Sequence, residues 1–345
     1  MKELTPQELR LLAKQLKSQA YLMLMGMIGA VIIMTAYIFY PEPLPEVEAP
    51  DWDKPWDPVF AKVDHTAGVF TDEMDFGRQL ILNTADFIGP NSDRPFAGNN
   101  LNCGSCHLDG GTKPFSAPYV GIPQQFPQYR GRENKEGTLV ERINGCMQRS
   151  MNGVPLPEDA PEMSAMIAYM EWLSKDAQTG EKLVGQKFIT FNYPNRKVDL
   201  EHGAAVFEQH CVVCHGADGA GVKKPNSHGY TYPPLWGPDS YNNGAGMHRV
   251  LTAAPFIKAN MPLGVTVEAP TLTDEEAYDV AGYINSFDRP VKPSLEADFP
   301  DRTRKPMSTP YGPWADSFTP EQHKYGPYDA IARYYQAVYR IKKTK

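Results

Sequence analysis

The sequence contains few cysteines, and its formal net charge is negative. Five cysteines in 345 residues are too few for a disulfide-stabilised scaffold, and their odd number leaves one over after any pairing. With 34 basic and 41 acidic residues the formal net charge is -7. A nucleic-acid-binding protein needs a basic face, so no nucleic-acid partner is expected. Hydrophobic residues make up 41% of the chain, enough for a core, and its length suggests two domains plus extensions.

Long apolar runs are absent as well, with the exception of residues 21–40, which carry no charged side chain. A helix of that length is about 30 Å long, the apolar thickness of a bilayer. A cleaved signal peptide would end at small residues, whereas this run ends in Tyr37-Ile38-Phe39-Tyr40, so we expect an uncleaved anchor. Basic side chains dominate before the run and acidic ones after it. The positive-inside rule therefore predicts a cytoplasmic tail at 1–20, a single-pass helix in the inner membrane at 21–40, and a remainder in the periplasm.

Four of the five cysteines belong to two C-x-x-C-H motifs. The motifs are Cys103-Gly104-Ser105-Cys106-His107 and Cys211-Val212-Val213-Cys214-His215. Two thiols at this spacing reach both vinyl groups of one porphyrin, and the histidine that follows binds the iron from the proximal side. A zinc site built from the four cysteines is the alternative, but it leaves both histidines unexplained. The sequence therefore predicts two covalently bound haem c groups.

Helical patterns surround both motifs in the same order. One helix is expected before each motif, near residues 76–87 and 200–208. The helix after the first motif is predicted to begin with Asp159 as its cap. The helix after the second motif is predicted to begin with a capping box formed by Thr273 and Glu276. This repeated order indicates two tandem domains of one kind.

The predicted fold class is all-α, an N-terminal transmembrane helix followed by two tandem cytochrome c-type domains. We expect a spacer rich in proline and acidic residues at 41–70, the first haem domain at 71–185 and the second at 196–290. Residues 291–345 form a tail rich in proline and tyrosine that closes with a helix. Packing of this tail across the two domains is favoured over docking to a partner.

Each haem iron needs a sixth ligand. In the second domain we expect Met261, because it follows a predicted helix on a loop and is itself followed by Pro262. Lys258 and Met247 are the alternatives. A methionine ligand raises the reduction potential of a haem, so the second haem is expected to transfer electrons.

Spacing alone does not decide the distal ligand of the first haem. Met151 matches Met261 when positions are counted from the haem motif, whereas Met147 matches it when they are counted back from the helix that follows. Cys146 lies one residue away, and it is the cysteine left over once the other four form thioethers. A buried, inert thiol is the alternative interpretation of Cys146.

Arginines surround Cys146 in the sequence. Arg142 and Arg149 flank it, and Arg130 and Arg132 precede them. Positive charge favours the thiolate form of cysteine and can hold a small anion, although most arginines simply face solvent. An iron ligand beside an anion-binding segment is typical of a reaction site rather than of an electron carrier.

Four segments of the chain are shared with one known family. They are the run RINGCMQRSMNG from Arg142 to Gly153, Asn102 before the first motif, the stretch from Asn83 to Pro90, and the tail segment from Gln322 to Pro327. Through them the sequence resembles the dihaem c-type thiosulfate dehydrogenases, also described as tetrathionate reductases. The resemblance covers about residues 70–340.

The resemblance has direct implications for the first site. It implies that the first haem is held by His107 and Cys146 and is the catalytic one. It also implies that Arg132, Arg142 and Ser150 line the substrate pocket.

For the second haem the resemblance implies His215 and Met261 as ligands and a role in electron exit. Some relatives have a lysine just before that methionine, where this chain has Asn260. The expected partners are thiosulfate and tetrathionate, and a cytochrome c or a membrane respiratory complex as electron partner.

The expected function is therefore that of an oxidoreductase that couples two thiosulfate anions to tetrathionate, with a transient adduct on the Cys146 sulfur. The physiological direction of this reaction is left open. A membrane-anchored dihaem cytochrome c that only transfers electrons is the alternative, and it makes no use of Cys146.

Overall fold

The structure is a computed structural model that describes residues 6–39, 70–177 and 183–344. Its α-helices are α1 (Pro6–Phe39), α2 (Asp72–Leu82), α3 (Thr84–Ile88), α4 (Leu108–Gly111), α5 (Leu139–Met147), α6 (Pro161–Leu173), α7 (Leu200–His210), α8 (Val212–His215), α9 (Val250–Asn260), α10 (Asp274–Ile284), α11 (Pro320–Tyr325) and α12 (Asp329–Tyr339). Strands β1 (Gln128–Arg130) and β2 (Lys135–Gly137) form one antiparallel pair, and β3 (Val222–Lys223) and β4 (Tyr230–Tyr232) form another. The chain divides into two units, Met1–Pro50 and Asp51–Lys345.

The prediction of a transmembrane helix at residues 21–40 is wrong. Within the described ranges, no helix is both long enough and apolar enough to cross a membrane. A crossing needs about 20 consecutive apolar residues. Most of the predicted spacer, residues 41–69, lies outside the described residues. The rest of the predicted fold class agrees with a mostly helical chain.

The two haem-motif regions are built on the same helix crossing. Helix α2 crosses α6 at Gly77, where a side chain would collide with the carbonyl of Ala165 and lie 2.9 Å from the Cβ atom of Tyr169. Helix α7 crosses α10 at Gly203, where a side chain would lie 2.9 Å from the Cβ atom of Tyr283. Only glycine allows backbones to approach this closely. The predicted tandem repeat therefore has a direct structural counterpart in the helix packing.

Of the two predicted helix N-termini, one agrees with the structure and the other does not. Thr273 and Glu276 form the predicted reciprocal capping box at the start of α10. The predicted cap Asp159 is wrong, because α6 is capped by Ala160 without a side-chain hydrogen bond. Pro161 occupies the first helical position and has no N–H to satisfy, which makes a polar cap less important there.

Each haem-motif region has its own apolar core. The first is built mainly on α2 and α6, and the second mainly on α7, α9, α10 and α12. Met247 packs against both cores, and Leu108, next to the first haem-motif histidine, packs against the second. The two cores are therefore in contact through side chains that each region contributes to the other.

Buried polar side chains join the two regions as well. Asn242 donates from its amide to the carbonyl of Gln148 at 2.9 Å and to the side chain of Asn152 at 3.1 Å. Asn99 donates to the carbonyl oxygens of Ser150 and Ser240. These bonds fix the turn after α5 against the second region.

The tail packs mainly onto the second core. Tyr328, Ile331 and Tyr335 are buried in that core. His323 is fully buried, stacks on Trp314 with 4.4 Å between ring centroids, and hydrogen-bonds to Asp316 and to the Met307 carbonyl. The predicted terminal helix is α12, which ends at Tyr339. The expected packing role of the tail thus holds for its contact with the second core.

We expect the substitution Gly203→Ala to lower the free energy of unfolding by about 2–3 kcal/mol, because α7 and α10 must separate to admit the methyl group. Urea unfolding of the haem-loaded protein, followed by circular dichroism, measures the change. Gly131→Ala is the matched control, since its added methyl group would lie 3.6 Å from the nearest atom. Equal midpoints for the two variants would contradict the close crossing.

A second stability prediction concerns Asp279, whose side chain is fully buried and accepts hydrogen bonds from Arg196 and His202. Burial alone would raise the pKa of Asp279, but these hydrogen bonds lower it below its usual value. Asp279→Asn is expected to cost about 1–3 kcal/mol at pH 7. The wild-type advantage is present above the ordinary aspartate pKa of about 3.9 and disappears as pH falls through the lower folded-state pKa.

Denaturation at pH 7 and pH 3 measures this difference. Glu275→Gln is the control, because Glu275 also pairs with Arg196 but is largely exposed. Its loss is expected to cost less than about 0.5 kcal/mol. A difference between wild type and Asp279→Asn that is as large at pH 3 as at pH 7 would be inconsistent with a charged, hydrogen-bonded carboxylate.

Candidate functional site

A cavity beside the first C-x-x-C-H motif brings most of the predicted site residues together. Its lining includes Cys103, Cys106 and His107 of the motif, and Arg142, Cys146 and Ser150 of α5 and the turn that follows. Helix α5 starts with a reciprocal capping box between Thr138 and Glu141. This cap fixes the start of the helix that carries Arg142 and Cys146.

Both proximal histidines are oriented by a backbone carbonyl. The Nδ1 atom of His107 lies 2.5 Å from the carbonyl oxygen of Ala117, and Nδ1 of His215 lies 2.8 Å from that of Pro233. A carbonyl only accepts, so Nδ1 carries the proton and the Nε2 lone pair is available to a metal. Burial lowers the pKa of His215 and favours the neutral imidazole that a metal binds. Tyr119 stacks on His107 with ring centroids 4.5 Å apart.

The first cavity fits a haem c group. Two thiols stand at the attachment spacing beside an imidazole of fixed tautomer. The remaining lining is mostly apolar and includes Met147, Met151, Met166 and Met170. Thioether, imidazole and apolar walls are the environment that a covalently attached porphyrin requires.

Cys146 differs electrostatically from the motif cysteines. Burial raises the pKa of the Cys103 thiol to about 11 and that of Cys106 to about 12. Burial would also raise the pKa of Cys146, but the charge of Arg142, followed by the influence of the neighbouring His107, outweighs it and lowers the pKa to about 6. The Nη1 atom of Arg142 donates to the Cys146 sulfur at 2.7 Å. The surroundings of Cys146 therefore favour its thiolate form.

The contact between Arg142 and Cys146 follows from their spacing of one helical turn. Arg142 and Cys146 are four residues apart on α5 and lie on the same face of the helix. Met147 and Met151, the alternative ligands, also line the cavity and are almost fully buried. His107 lowers the pKa of Cys146, so the Cys146 sulfur lies near the predicted proximal histidine.

Arg132 has a different environment from the one that the resemblance implies. It is not among the described residues that line the cavity. Its Nη1 atom donates to Asp298 at 2.5 Å and to the Tyr311 hydroxyl at 3.0 Å. Arg149, which is buried, donates to the same carboxylate at 2.7 Å. The hydrogen bond from Arg149 and the charge of Arg132 lower the pKa of Asp298, although burial alone would raise it.

Tyr241 and Asp298 were not singled out in the sequence, and Met247 was named there only as an alternative ligand of the second haem. Tyr241 and Met247 line the cavity although both come from the second haem-motif region, and Asp298 comes from the tail. No local motif marks any of them, because each lies far along the chain from the first haem motif. The close approach of the two regions, rather than sequence spacing, brings them to the site.

The predicted residues of the second site lie around the second core. Met261 follows α9 directly and packs against this core, as does Cys211 of the motif. The alternative ligand Lys258 is bound to Asp274 at 2.6 Å. The other alternative, Met247, lines the first cavity. These contacts favour Met261 among the three candidates.

Comparisons with known proteins agree with this arrangement. A cytochrome c family model matches residues 200–288, and a model of the SoxA/TsdA cytochrome c domain matches residues 93–179. Thiosulfate dehydrogenase of Stutzerimonas stutzeri is 40% identical over 241 residues, which is 70% of this chain and 75% of the relative. Thiosulfate dehydrogenase of Allochromatium vinosum is 45% identical over 200 residues, 57% of this chain and 72% of the relative.

A solved structure is similar as well. It is thiosulfate dehydrogenase (TsdBA) from Marichromatium purpuratum in its as-isolated form, 38% identical with a TM-score of 0.61. The match covers 67% of this chain and 49% of that chain, so this chain spans about half of the solved one. Together with the two cytochrome c domains, these relatives show that the chain belongs to the thiosulfate dehydrogenase family and is an oxidoreductase.

Proposed function

We propose that this chain couples two thiosulfate anions to tetrathionate in the first cavity and passes the electrons out through its second domain. The observation that carries the proposal is the Cys146 sulfur, bound by Arg142 at 2.7 Å inside a haem-type cavity that His107 also lines. An electron carrier has no use for a reactive thiolate in this position. The names of the relatives support thiosulfate as the substrate.

The proposed chemistry uses Cys146 as a nucleophile. Its thiolate and the terminal sulfur of one thiosulfate form a sulfur–sulfur bond with the loss of two electrons, which leaves a thiosulfonate adduct on the cysteine. The terminal sulfur of a second thiosulfate then attacks the sulfur bonded to Cys146. The cysteine–sulfur bond breaks, tetrathionate leaves, and the thiolate is restored, so that charge and atoms balance.

Charge repulsion is the main barrier to bringing the two dianions together. Two unit charges about 4 Å apart repel by roughly 4 kcal/mol near a protein surface. The Arg142 guanidinium faces the cavity and offsets this repulsion. Arg132 and Arg149 both bind the single carboxylate of Asp298, and neither is among the described residues that line the cavity, so Arg142 is the arginine that we assign to anion binding. We assign Ser150, which lines the same cavity, as a further contact to the substrate.

Two covalently bound haems c would each accept one of the two electrons. We propose Cys103, Cys106 and His107, with Cys146 as distal ligand, as the residues that hold the first. Cys211, Cys214, His215 and Met261 are the corresponding group for the second. A cytochrome c or a membrane respiratory complex is the proposed electron partner, and the periplasmic location stays a prediction.

Cys146→Gly tests the proposal most directly. We expect thiosulfate turnover to fall at least about 10³-fold, because the nucleophile is lost. Haem content, measured by absorption spectroscopy of the reduced protein, must remain at the wild-type level for the comparison to count. Met147→Leu, a change of similar volume in the same cavity, is the control and should retain activity. Near-wild-type turnover by the glycine variant would leave only an electron-transfer function.

Arg142→Leu is expected to lower kcat/KM for thiosulfate roughly 10- to 100-fold, since one charged hydrogen bond contributes about 1.5–3 kcal/mol. Steady-state kinetics with an artificial electron acceptor measures the effect. Arg142→Lys keeps the charge but loses the guanidinium geometry, so an intermediate loss is expected. Arg333→Leu, on the exposed face of α12, changes net charge equally and should have little effect. Equal losses in the Arg142 and Arg333 leucine variants would point to a general charge effect.

A further inference from the structure

The loop that follows the first haem motif has an unusual backbone. Ala117, whose carbonyl orients His107, has a φ of 53°, and Phe115 two residues earlier has a φ of 60°. Bulky residues rarely adopt this left-handed conformation. Such strain costs about 1–3 kcal/mol and persists where surrounding contacts over-determine it. The contacts of Phe115 therefore hold it in this conformation.

Those contacts lead to the second domain. The Phe115 side chain is buried in a small apolar cluster with Ile189 and Ala259, and Val267 packs against this cluster. Ala259 and Val267 lie on either side of Met261 in the sequence. The loop that orients the proximal histidine of the first site thus packs against the segment that presents the proposed distal ligand of the second.

A hydrogen bond joins the same two segments. The side-chain nitrogen Nδ2 of Asn260 donates to the Phe115 carbonyl at 3.3 Å and to the Phe256 carbonyl at 3.0 Å. Asn260 is fully buried, and its Oδ1 atom has no hydrogen-bond partner in the part of the chain that the structure describes. An unpaired buried acceptor costs about 1–3 kcal/mol. An apolar residue would avoid that cost but could not donate to Phe115.

We propose that Phe115 and Asn260 form an interdomain clamp that positions Met261, so that the reduction potential of the second haem depends on the loop after the first haem motif. Asn260 is a positioning residue that acts through Met261. The clamp rests on the proposed ligation of the second haem by Met261. A loosened Met261 binds iron less well, and loss of methionine ligation lowers the potential.

The test uses the full-length, haem-loaded protein and the variants Asn260→Leu and Phe115→Ala. A spectroscopic redox titration gives the potential of each haem, and the weak absorption band specific to methionine–iron ligation in the oxidised protein reports on Met261, separately from the thiolate proposed at the first haem. Each variant is expected to lower the potential of the second haem and weaken the band. The double variant should shift the potential by less than the sum of the two single shifts, because both act on one clamp. If Asn260→Leu fails to fold, Phe115→Ala provides the same readout from the other domain.

Asn242→Leu is the matched control, because it removes another buried interdomain amide contact, to Gln148 and Asn152. It should leave the potential of the second haem unchanged. An unchanged potential in both clamp variants, or an equal shift in the control, overturns the clamp alone. A wild-type protein without methionine ligation at the second haem overturns the Met261 assignment and the clamp together. Thiosulfate turnover is measured separately and tests the proposed reaction independently of both.

Discussion

The contact between the Arg142 guanidinium and the Cys146 sulfur is the interaction on which the chemistry of this protein depends. One turn of α5 sets their separation, and the capping box at Thr138 sets where that turn begins. The positive charge overcomes the effect of burial and favours the thiolate form of Cys146. Without it, burial would raise the pKa of the Cys146 thiol and favour its neutral form.

The residues around α5 leave the positive charge of Arg142 facing the cavity. Asp298 of the tail binds Arg132 and Arg149. Neither of these two arginines is among the described residues that line the cavity, whereas Arg142 is. The second domain closes the cavity with Tyr241 and Met247. The first site is thus complete only when the first domain, the second domain and the tail are folded together.

The two haem-motif regions share a scaffold and differ in chemistry. Gly77 and Gly203 allow the same close helix crossing, and a backbone carbonyl orients each proximal histidine. The distal side differs, since an arginine-bound cysteine sulfur lies near one histidine and a methionine after α9 is the candidate at the other. This division suits a protein in which one site reacts with sulfur compounds and the other transfers electrons.

The sequence by itself determined the features that depend on residues close together in the chain. These are the attachment motifs, the capping box at Thr273, the helix before the second motif and the leftover cysteine among arginines. Local sequence patterns gave wrong predictions where a segment was compatible with more than one local structure. At α6 the cap is Ala160 instead of the predicted Asp159, and no helix in the described ranges is long and apolar enough for the predicted membrane crossing. Only the tertiary structure decided that Arg132 binds Asp298, that Met247 lines the first cavity, and that Phe115 contacts Asn260. These contacts join residues more than a hundred positions apart, and no local spacing encodes them because they arise from the packing of one domain on another.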